Sequence, residues 1–491
     1  MTARLTGRRR VVIVGAGPGG LCLGIKLRAA GHDDFVILEQ AAGVGGTWRH
    51  NTYPGAACDV PSHLYSFSFE PKVDWTRAYA TQPEILEYFE HCATKYDLRR
   101  HLRLETAVRG ARWDDERARW TVRTDGGDLE ADVLVSAVGM FNEPSCPDIP
   151  GLDTFAGTRF HSARWDHEHD LTGERVAVVG TAASAVQLVP TIAERVARLY
   201  LFQRSPQWVS PKADAAYDEE QLEQFRADPS LVERSRAQIF ERIDGSITFS
   251  NQEMLRLAEA AGLENLSVVE DPELRRKLTP TSPFGCHRPL ISNDYYRVFN
   301  LPHVELVTDP IARVDPDAIV TDDGRARAVD TIITATGFAT TRYLSVIDVV
   351  GRDGVRLDDA WRDGAYAYLG ITTPGFPNLF MLYGPNTNNG SILYMLECQA
   401  DYVVRLLDRL DVEHLESLEV SPDVVERYNA ALQHDLDGIA VWQAGCHGYY
   451  RGAGGRIVTQ WPHSMSEYRA RTLAPDPDAF LTVPRKEVER G

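Results

Sequence analysis

Short apolar runs that lead into glycine-rich turns occur twice along the chain, and each is followed by a helical pattern. The first run, Val11–Val14, enters a glycine turn, a helical stretch and a second apolar run at 35–38. The second unit has an apolar run at 176–179, a helical stretch at 183–192 and a further run ending near Phe202. Such alternation predicts parallel α/β units. The fold class is therefore predicted as α/β, with two Rossmann-like lobes.

The rest of the chain suggests how these lobes are divided. Residues 214–277 are rich in Glu, Arg, Ala and Leu at helical spacing, which predicts a helical insertion. Strand-like runs return at 304–306 and 330–336, and helices are predicted at 397–411 and 422–435. We therefore assign 1–150 and 330–491 to a first lobe that is interrupted by the second. The second lobe takes 151–213 and 278–329, and the insertion takes 214–277.

The first glycine turn matches G-x-G-x-x-G, directly after a strand and before a helix. Gly15 permits the tight turn, Gly17 lets a pyrophosphate approach the backbone, and Gly20 allows close packing of helix on strand. The partial positive charge of the helix N-terminus then faces the anion. Glu39 ends the next strand, where an acid accepts hydrogen bonds from ribose hydroxyls. These residues predict a dinucleotide site.

The second glycine turn repeats this pattern with one fault, because Ala182 stands where the second glycine belongs. A methyl group there obstructs the approach of a pyrophosphate. Arg204 follows the next strand in place of an acid and is suited to a 2′-phosphate, which favours NADPH over NADH. Two dinucleotide sites imply hydride transfer from nicotinamide to flavin. The predicted contacts are Gly180, Thr181, Ser184, Ala185, Arg204 and Ser205.

Composition narrows the function classes. The net charge of −18 argues against nucleic acid or an anionic membrane as a partner, and no apolar run is long enough to span a bilayer. The N-terminus does not resemble a signal peptide. Seven scattered cysteines without C-x-x-C indicate neither a zinc cluster nor a redox dithiol, so we expect no metal and a reduced, cytoplasmic protein. The sequence carries no signal for an oligomeric state.

Two motifs connect the chain to a known family. Residues 155–166 match F-x-G-x-x-x-H-x-x-x-W-[PD] at each fixed position, namely Phe155, Gly157, His161, Trp165 and Asp166. A second motif comprises 45–48, 53–55 and Asp59, and further matches lie at 335–338, 384–386 and 461–462. The chain resembles the class B flavoprotein monooxygenases, and Trp165 with Asp166 favours their Baeyer–Villiger branch.

The resemblance implies a reaction and a set of roles. The expected cofactors are FAD and NADPH, and the expected reaction converts a ketone to an ester or lactone with O₂, through a peroxyflavin. Arg288 matches the family's catalytic arginine and Asp59 its orienting carboxylate. The fingerprint 155–166 is expected to couple lobe movement to catalysis. The resemblance assigns FAD contacts to Gly46, Thr47, Trp48, Asp59 and Tyr65.

Three positions depart from the family pattern. Besides Ala182, His287 replaces a lysine that usually helps to bind the 2′-phosphate, and a largely neutral imidazole attracts it less. Tyr449 stands where a tryptophan of a mobile loop is common. Arg204 still favours NADPH, and His287 remains a candidate contact.

Other functions stay open at this stage. The same flavin chemistry oxygenates sulfur or nitrogen, a two-nucleotide reductase would not oxygenate, and a flavin-binding protein with lost catalysis would act by interaction. Substrate identity is not encoded in a local pattern. Candidate pocket walls are Phe284, Tyr394, Met395 and Tyr449.

Overall fold

The computed structural model describes residues 9–344, 346–445, 450–452 and 454–485. Within these residues the helices are α1 (Pro18–Ala30), α2 (Thr47–His50), α3 (Gln82–Lys95), α4 (Ala183–Ala193), α5 (Glu219–Ala227), α6 (Ser230–Ser246), α7 (Gln252–Leu266), α8 (Pro272–Leu278), α9 (Leu357–Ala360), α10 (Ile392–Val412), α11 (Pro422–Asp437) and α12 (Met465–Thr472). None of the described helices is both long and apolar enough to cross a bilayer.

The strands of the described residues are β1 (Val11–Val14), β2 (Phe35–Leu38), β3 (Leu102–Arg103), β4 (Val108–Asp114), β5 (Arg119–Thr124), β6 (Gly127–Ala131), β7 (Val133–Ser136), β8 (Thr158–His161), β9 (Arg175–Val179), β10 (Arg198–Phe202), β11 (Val209–Ser210), β12 (Leu290–Ile291), β13 (Val304–Val307), β14 (Ile311–Asp315), β15 (Ala318–Thr321), β16 (Ala326–Ala328), β17 (Thr331–Thr334), β18 (Asp348–Val350), β19 (Leu379–Met381), β20 (Leu415–Val420) and β21 (Phe480–Pro484).

The first lobe is built on a parallel sheet of order β19-β7-β1-β2-β3. All four residues of β1 are buried, as expected for a parallel strand covered on both faces. Helix α1 follows the glycine turn and packs against α10. The α/β fold class is confirmed, and the helices predicted at 397–411 and 422–435 are present as α10 and α11.

The second lobe has its own parallel sheet, of order β13-β10-β9-β17-β8. One predicted boundary is wrong here, since the first lobe was expected to resume at residue 330. Strand β17 instead lies between β9 and β8 of the second sheet, and all four of its residues are buried there. An apolar strand pattern indicates burial but not which sheet the strand joins, so the lobe change falls after β17.

The two chain crossings between the lobes run side by side. The amide of Ser145 donates to the carbonyl of Gly337 at 2.8 Å, and the amide of Ala339 donates to the carbonyl of Glu143 at 3.0 Å. Pro144 and Phe338 form an antiparallel bridge. The outgoing and returning segments therefore form a single two-stranded connection.

Antiparallel pairing surrounds the parallel sheets. Strands β4, β5 and β6 form a meander that β18 joins, β14 to β16 form a second meander, and β20 pairs with β21. Trp113 and Trp120 pack edge to face at 5.6 Å inside the first meander. The sequence analysis missed these sheets because their strands alternate buried and exposed residues over short stretches.

The helical insertion predicted at 214–277 is present as α5 to α8. Helix α6 docks on the first lobe, whereas α7 packs on the second lobe, where Asn265 donates from Nδ2 to the carbonyls of Val209 and Ser292. His63 of the first lobe hydrogen-bonds Ser235 of α6 through Nδ1 at 2.9 Å. Arg236 donates from Nη1 to the carbonyls of His63, Leu64 and Ser66 at 3.2, 3.0 and 2.8 Å. Helix α6, which is inserted within the sequence of the second lobe, therefore binds to the first lobe.

The expectation of fully reduced cysteines fails at one site. Cys286 is in a disulfide, whereas the five other described cysteines are free thiols: Cys22, Cys58, Cys92, Cys146 and Cys398. Lone cysteines far apart in sequence do not reveal pairing, because a disulfide depends on proximity in the fold.

The burial of His63 makes the docking of the insertion depend on pH. Desolvation lowers the pKa of His63 to about 4, so between pH 6.5 and 4 the unfolded chain binds one more proton than the folded chain. The free energy of unfolding should therefore fall by about 2 kcal/mol from pH 7 to pH 5 through this residue alone. Urea unfolding of the parent and of His63→Gln at both pH values isolates the contribution.

The variant should be less stable at pH 7 but lose less stability on acidification. His167→Gln, which removes an exposed imidazole, serves as the control and should keep the parent's pH dependence. Equal acid sensitivity of His63→Gln and the parent would contradict this account.

Candidate active site

The first glycine turn needs glycine at both of its ends. Gly15 has φ +104°, and a Cβ on it would lie 2.6 Å from the carbonyl oxygen of Ala137 on the neighbouring strand end. A Cβ on Gly20 would collide with the carbonyl oxygen of Gly15. The turn is therefore closed tightly on β7 and on its own helix, as predicted for these two positions.

Gly17 faces Gly46 of the second motif, and together they form a cradle of bare backbone. Gly46 has φ +53°, and a Cβ on it would lie 2.9 Å from the Cα of Gly17. Helix α1 begins after Gly17 with no described side chain capping it and no acid in its first turn. Its free N–H groups and dipole suit an anion, so the cradle fits the pyrophosphate of FAD.

Glu39 supports this turn from the end of β2. Its Oε2 accepts from the amide of Ala16 at 2.8 Å, and its Oε1 accepts from the amide of Ala41 at 2.9 Å. The side chain is buried beside the turn. Glu39 therefore lies where the sequence placed it, and it holds the glycine turn in addition to the ribose role predicted for it.

The second motif continues from Gly46 into the short helix α2. Thr47 begins the helix, and Trp48 donates from Nε1 to the hydroxyl of Tyr65 at 2.9 Å. Burial raises the pKa of Tyr65 well above its usual value, so its hydroxyl stays protonated. Four of the predicted FAD contacts are thus adjacent in space: Gly46, Thr47, Trp48 and Tyr65.

Asp59 and Arg288 form an ion pair although 229 residues separate them. Arg288 donates from Nη2 to Oδ2 of Asp59. The two side chains are 36% and 31% exposed, so solvent and small molecules can reach them. Arg288 lies in the segment between α8 and β12, whereas Asp59 belongs to the first lobe. The structure brings together the predicted catalytic arginine and its predicted carboxylate.

A contact that the sequence analysis missed holds the lobes together next to this pair. The hydroxyl of Tyr53 donates to Oε1 of Gln187 at 2.8 Å, and Nε2 of Gln187 donates to the carbonyl of Ala57 at 2.9 Å. A Cβ on Gly55 would lie 2.6 Å from the carbonyl oxygen of Gln187. Burial raises the pKa of Tyr53 to about 12, with Ser184 opposing the shift. Helix α4 of the second lobe therefore rests on the loop that carries Asp59.

The second glycine turn has the same geometry as the first. Gly180 has φ +113°, and a Cβ on it would lie 2.5 Å from the carbonyl oxygen of Ala335. Ala182 precedes helix α4 in an extended conformation and is exposed. No described side chain caps α4, and its first turn contains no acid. The helix N-terminus is therefore open to an anion, and the residues fit the pyrophosphate of NADPH.

The other predicted contacts of the second site differ in their surroundings. Ala185 is fully buried on the inner face of α4, so it packs the helix on the sheet and does not face a ligand. Thr181 donates from Oγ1 to the carbonyl of Ser205 at 3.4 Å, which links the turn to the end of β10. Arg204 is exposed at that end, and His287 is half-buried next to Arg288.

The fingerprint 155–166 lies where the chain enters the second lobe. Phe155 is buried, and a Cβ on Gly157 would collide with the carbonyl oxygen of Asp330. His161 ends β8, and its ring meets Phe338 of the returning crossing at 5.9 Å. Burial lowers the pKa of His161. The fingerprint thus contacts both crossings between the lobes.

The end of the fingerprint packs on the second lobe. Trp165 meets Phe160 edge to face at 4.9 Å. Asp166 is exposed and accepts from the amide of Glu168 at 3.0 Å, which shapes the turn after the motif.

Three of the four candidate pocket walls pack in or against one apolar cluster. Met395 is buried within it, and Phe284 and Tyr394 are partly buried at its edge. Trp442 of the same cluster donates from Nε1 to the carbonyl of Gly285, close in sequence to Arg288. Tyr449 lies outside the described residues.

Several known proteins share this architecture. A family model described as pyridine nucleotide-disulphide oxidoreductase matches residues 12–227. A Baeyer-Villiger monooxygenase of Streptomyces coelicolor is 42% identical over 474 residues, which cover 95% of this chain and 91% of that protein.

Solved structures are similar to this chain over nearly its whole length. An oxidized steroid monooxygenase bound to NADP is similar with a TM-score of 0.86 and 32% identity, covering 97% of this chain and 100% of that one. The complex of OTEMO with FAD and NADP has a TM-score of 0.86 and 29% identity, covering 97% of this chain and 99% of that one.

The cradle of Gly17 and Gly46 makes a prediction about flavin content. Gly46→Ala places an alanine at φ +53° and ψ −119°, a backbone conformation outside the left-handed helical region that costs an L-residue roughly 1–3 kcal/mol, and it also adds a Cβ that pushes the two loops apart. Purified Gly46→Ala should retain less than half of the parent's bound flavin, measured by absorbance relative to protein.

Gly31→Ala serves as a positive-φ control. Gly31 has φ +88° and ψ +13° with open space around it, so the variant carries the milder strain of a left-handed residue without the collision and should keep its flavin. Equal flavin loss in both variants would mean that the close approach of the two loops is unimportant.

Proposed function

The chain belongs to the Baeyer–Villiger monooxygenase family, and on this basis we propose that it oxidises a ketone to an ester or lactone with FAD, NADPH and O₂. The observation that carries the proposal is the ion pair of Arg288 with Asp59, which lies beside the contact between the lobes. The first lobe, with its Gly17–Gly46 cradle, takes FAD. The second lobe, with the open N-terminus of α4, takes NADPH.

FAD, when bound, supplies the redox chemistry that accepts hydride from NADPH and activates dioxygen. The residues of the first lobe position it. The N-terminus of α1 and the backbone at Gly17 hold the pyrophosphate, and Glu39 keeps the turn closed around it. Trp48 and Tyr65, joined by their hydrogen bond, form a fixed wall next to this site.

Arg288 acts on charge. Its guanidinium stays protonated at any working pH. It therefore favours the deprotonated, negatively charged form of the oxygen that attacks the ketone over the protonated form. The same group stabilises the negative charge that develops on the carbonyl oxygen of the ketone. Asp59 orients the guanidinium through Oδ2.

The nicotinamide lobe contributes binding and timing. Arg204, exposed after β10, pairs with the 2′-phosphate that distinguishes NADPH from NADH. His161 of β8 packs against Phe338 of the returning crossing, so the fingerprint can transmit movement at this crossing to the second lobe when the nicotinamide nucleotide approaches and leaves. This is the role we propose for the fingerprint.

We also propose a cytoplasmic location. Of the six described cysteines, five are free thiols and Cys286 is in a disulfide, and the predominance of free thiols supports a reducing compartment.

Replacing Arg288 should stop oxygen insertion without emptying the flavin site. Arg288→Ala should lower ester formation from cyclohexanone or phenylacetone by at least about 100-fold, since a charge-stabilising donor contributes roughly 3 kcal/mol. Asp59→Asn should lower it less, because the guanidinium remains but loses its orientation. Products are measured by gas chromatography and flavin by absorbance.

Arg297→Ala, which removes an exposed arginine of the same lobe, is the charge-matched control and should keep the parent rate. Ester formation by Arg288→Ala at the parent rate would refute the mechanism. A parent enzyme that oxygenates only a sulfide probe would favour the alternative oxygenation of sulfur.

Replacing Arg204 should change the preference between nucleotides. Arg204→Gln removes a charge-assisted contact to phosphate, so KM for NADPH should rise about 10-fold to 100-fold while KM for NADH changes little. Arg195→Gln, an exposed arginine that pairs with Asp170, is the control. An unchanged ratio of the two KM values in Arg204→Gln would exclude Arg204 from the 2′-phosphate site.

A further inference from the structure

A cavity of about 510 Å³ lies between the helical insertion and the first lobe, and we propose that it binds an amphipathic monocarboxylate. Its walls come from one face of α10, from α6 and α12, and from Lys26 of α1. The volume lies within the range of small-molecule pockets, about 300–1,000 Å³. Nothing in ketone oxidation uses these residues.

The cavity faces away from the glycine turn. Its lining residues on α10 lie at positions 394, 397, 398, 401 and 405, which follow one helical stripe. The neighbouring stripe, with Leu393, Leu396 and Ala400, packs into the core of the first lobe. Leu396 lies over Gly19 at the start of α1. The helix therefore separates the cavity from the proposed pyrophosphate site.

One part of the cavity is apolar and aromatic. The rings of Phe240 from α6 and Tyr394 from α10 lie 4.8 Å apart. Leu473 also lines the cavity and is 58% exposed. Ala237 leaves room beside Phe240. These side chains suit a hydrocarbon body.

Most charges in the wall are already neutralised. Lys26 pairs with Asp401 at 2.6 Å. Glu397 accepts from the amide of Ser68 at 2.8 Å and lies 3.8 Å from Arg236, whose Nη1 is bound to three carbonyls of the first lobe. These groups form a fixed frame around the cavity.

Two arginines in the wall differ from this frame. Among the described residues, Arg405 hydrogen-bonds the carbonyl of Thr472 from Nη1 at 3.4 Å, and Arg469 lies near the hydroxyl of Tyr394. Neither has a carboxylate within 4.0 Å among the described residues. Asp401, the nearest acid acting on Arg469, is already paired with Lys26. Both guanidinium groups therefore retain donors for a ligand.

Charge and shape together select the class of ligand. The wall carries four cationic and three acidic side chains, which leaves one positive charge for the ligand to balance. A monoanion balances it, and a carboxylate matches the fork of a guanidinium. The ligand class is thus a carboxylate with an apolar chain.

Calorimetry on the FAD-loaded full chain tests the site, with decanoate as the probe and methyl decanoate as its uncharged counterpart. Decanoate should bind at least about tenfold more tightly than the ester, because a charge-assisted pair contributes about 1.5 kcal/mol or more. Arg405→Gln and Arg469→Gln should each weaken decanoate binding by a similar factor. Ala237→Trp should abolish it by filling the cavity from its exposed edge.

Arg409→Gln is the matched control, since this arginine lies one turn further along α10 and pairs with Glu413 outside the cavity. It should leave decanoate binding unchanged. The proposal is overturned if decanoate does not bind, if acid and ester bind equally, or if Arg405→Gln, Arg469→Gln and Ala237→Trp all leave binding unchanged. Displacement of decanoate by a ketone substrate would also overturn it, by placing the probe in the reaction site.

Discussion

Arg288 and Asp59 reach each other only when the two lobes stand at one separation, and the proposed chemistry depends on that distance. The pair is about one-third exposed, so by itself it contributes roughly 1 kcal/mol or less and cannot hold the lobes. The buried contact of Tyr53 with Gln187, and the close approach of Gly55 to α4, supply the rigidity instead. The helix that begins the proposed NADPH site therefore sets the geometry of Asp59, the partner of the proposed catalytic arginine.

The parts of the site that are local in sequence could be predicted from it. Gly15, Gly17 and Gly20 follow an apolar strand within ten residues, so strand, turn and helix are encoded together. Arg288 and Asp59 could be paired only through the family resemblance, because nothing near either residue indicates the other. Gln187 and Arg236 were missed for the same reason: their partners lie 130 or more residues away. The wrong boundary at 330 arose because a buried strand pattern does not specify its sheet.

Ala182 illustrates how a departure from a motif changes meaning once its surroundings are known. The sequence predicts an obstructing methyl group between helix and pyrophosphate. In the fold, Ala182 is exposed and the first turn of α4 has no capping side chain and no acid among the described residues. A phosphate bound there would be held mainly by N–H groups and the helix dipole, which an alanine does not remove. The substitution therefore changes the contact surface but keeps its electrostatics.

The paired crossings have a consequence for the architecture as a whole. The second lobe leaves the first at residues 143–145 and returns at residues 337–339, and these two segments pair with each other. Residues 146–336 thus form a cassette whose two ends lie side by side. A relative's cassette can be grafted at these ends without rethreading the host sheet. The insertion helices are part of this cassette. Such a chimera therefore also exchanges the contacts of α6 with His63 and one wall of the carboxylate cavity.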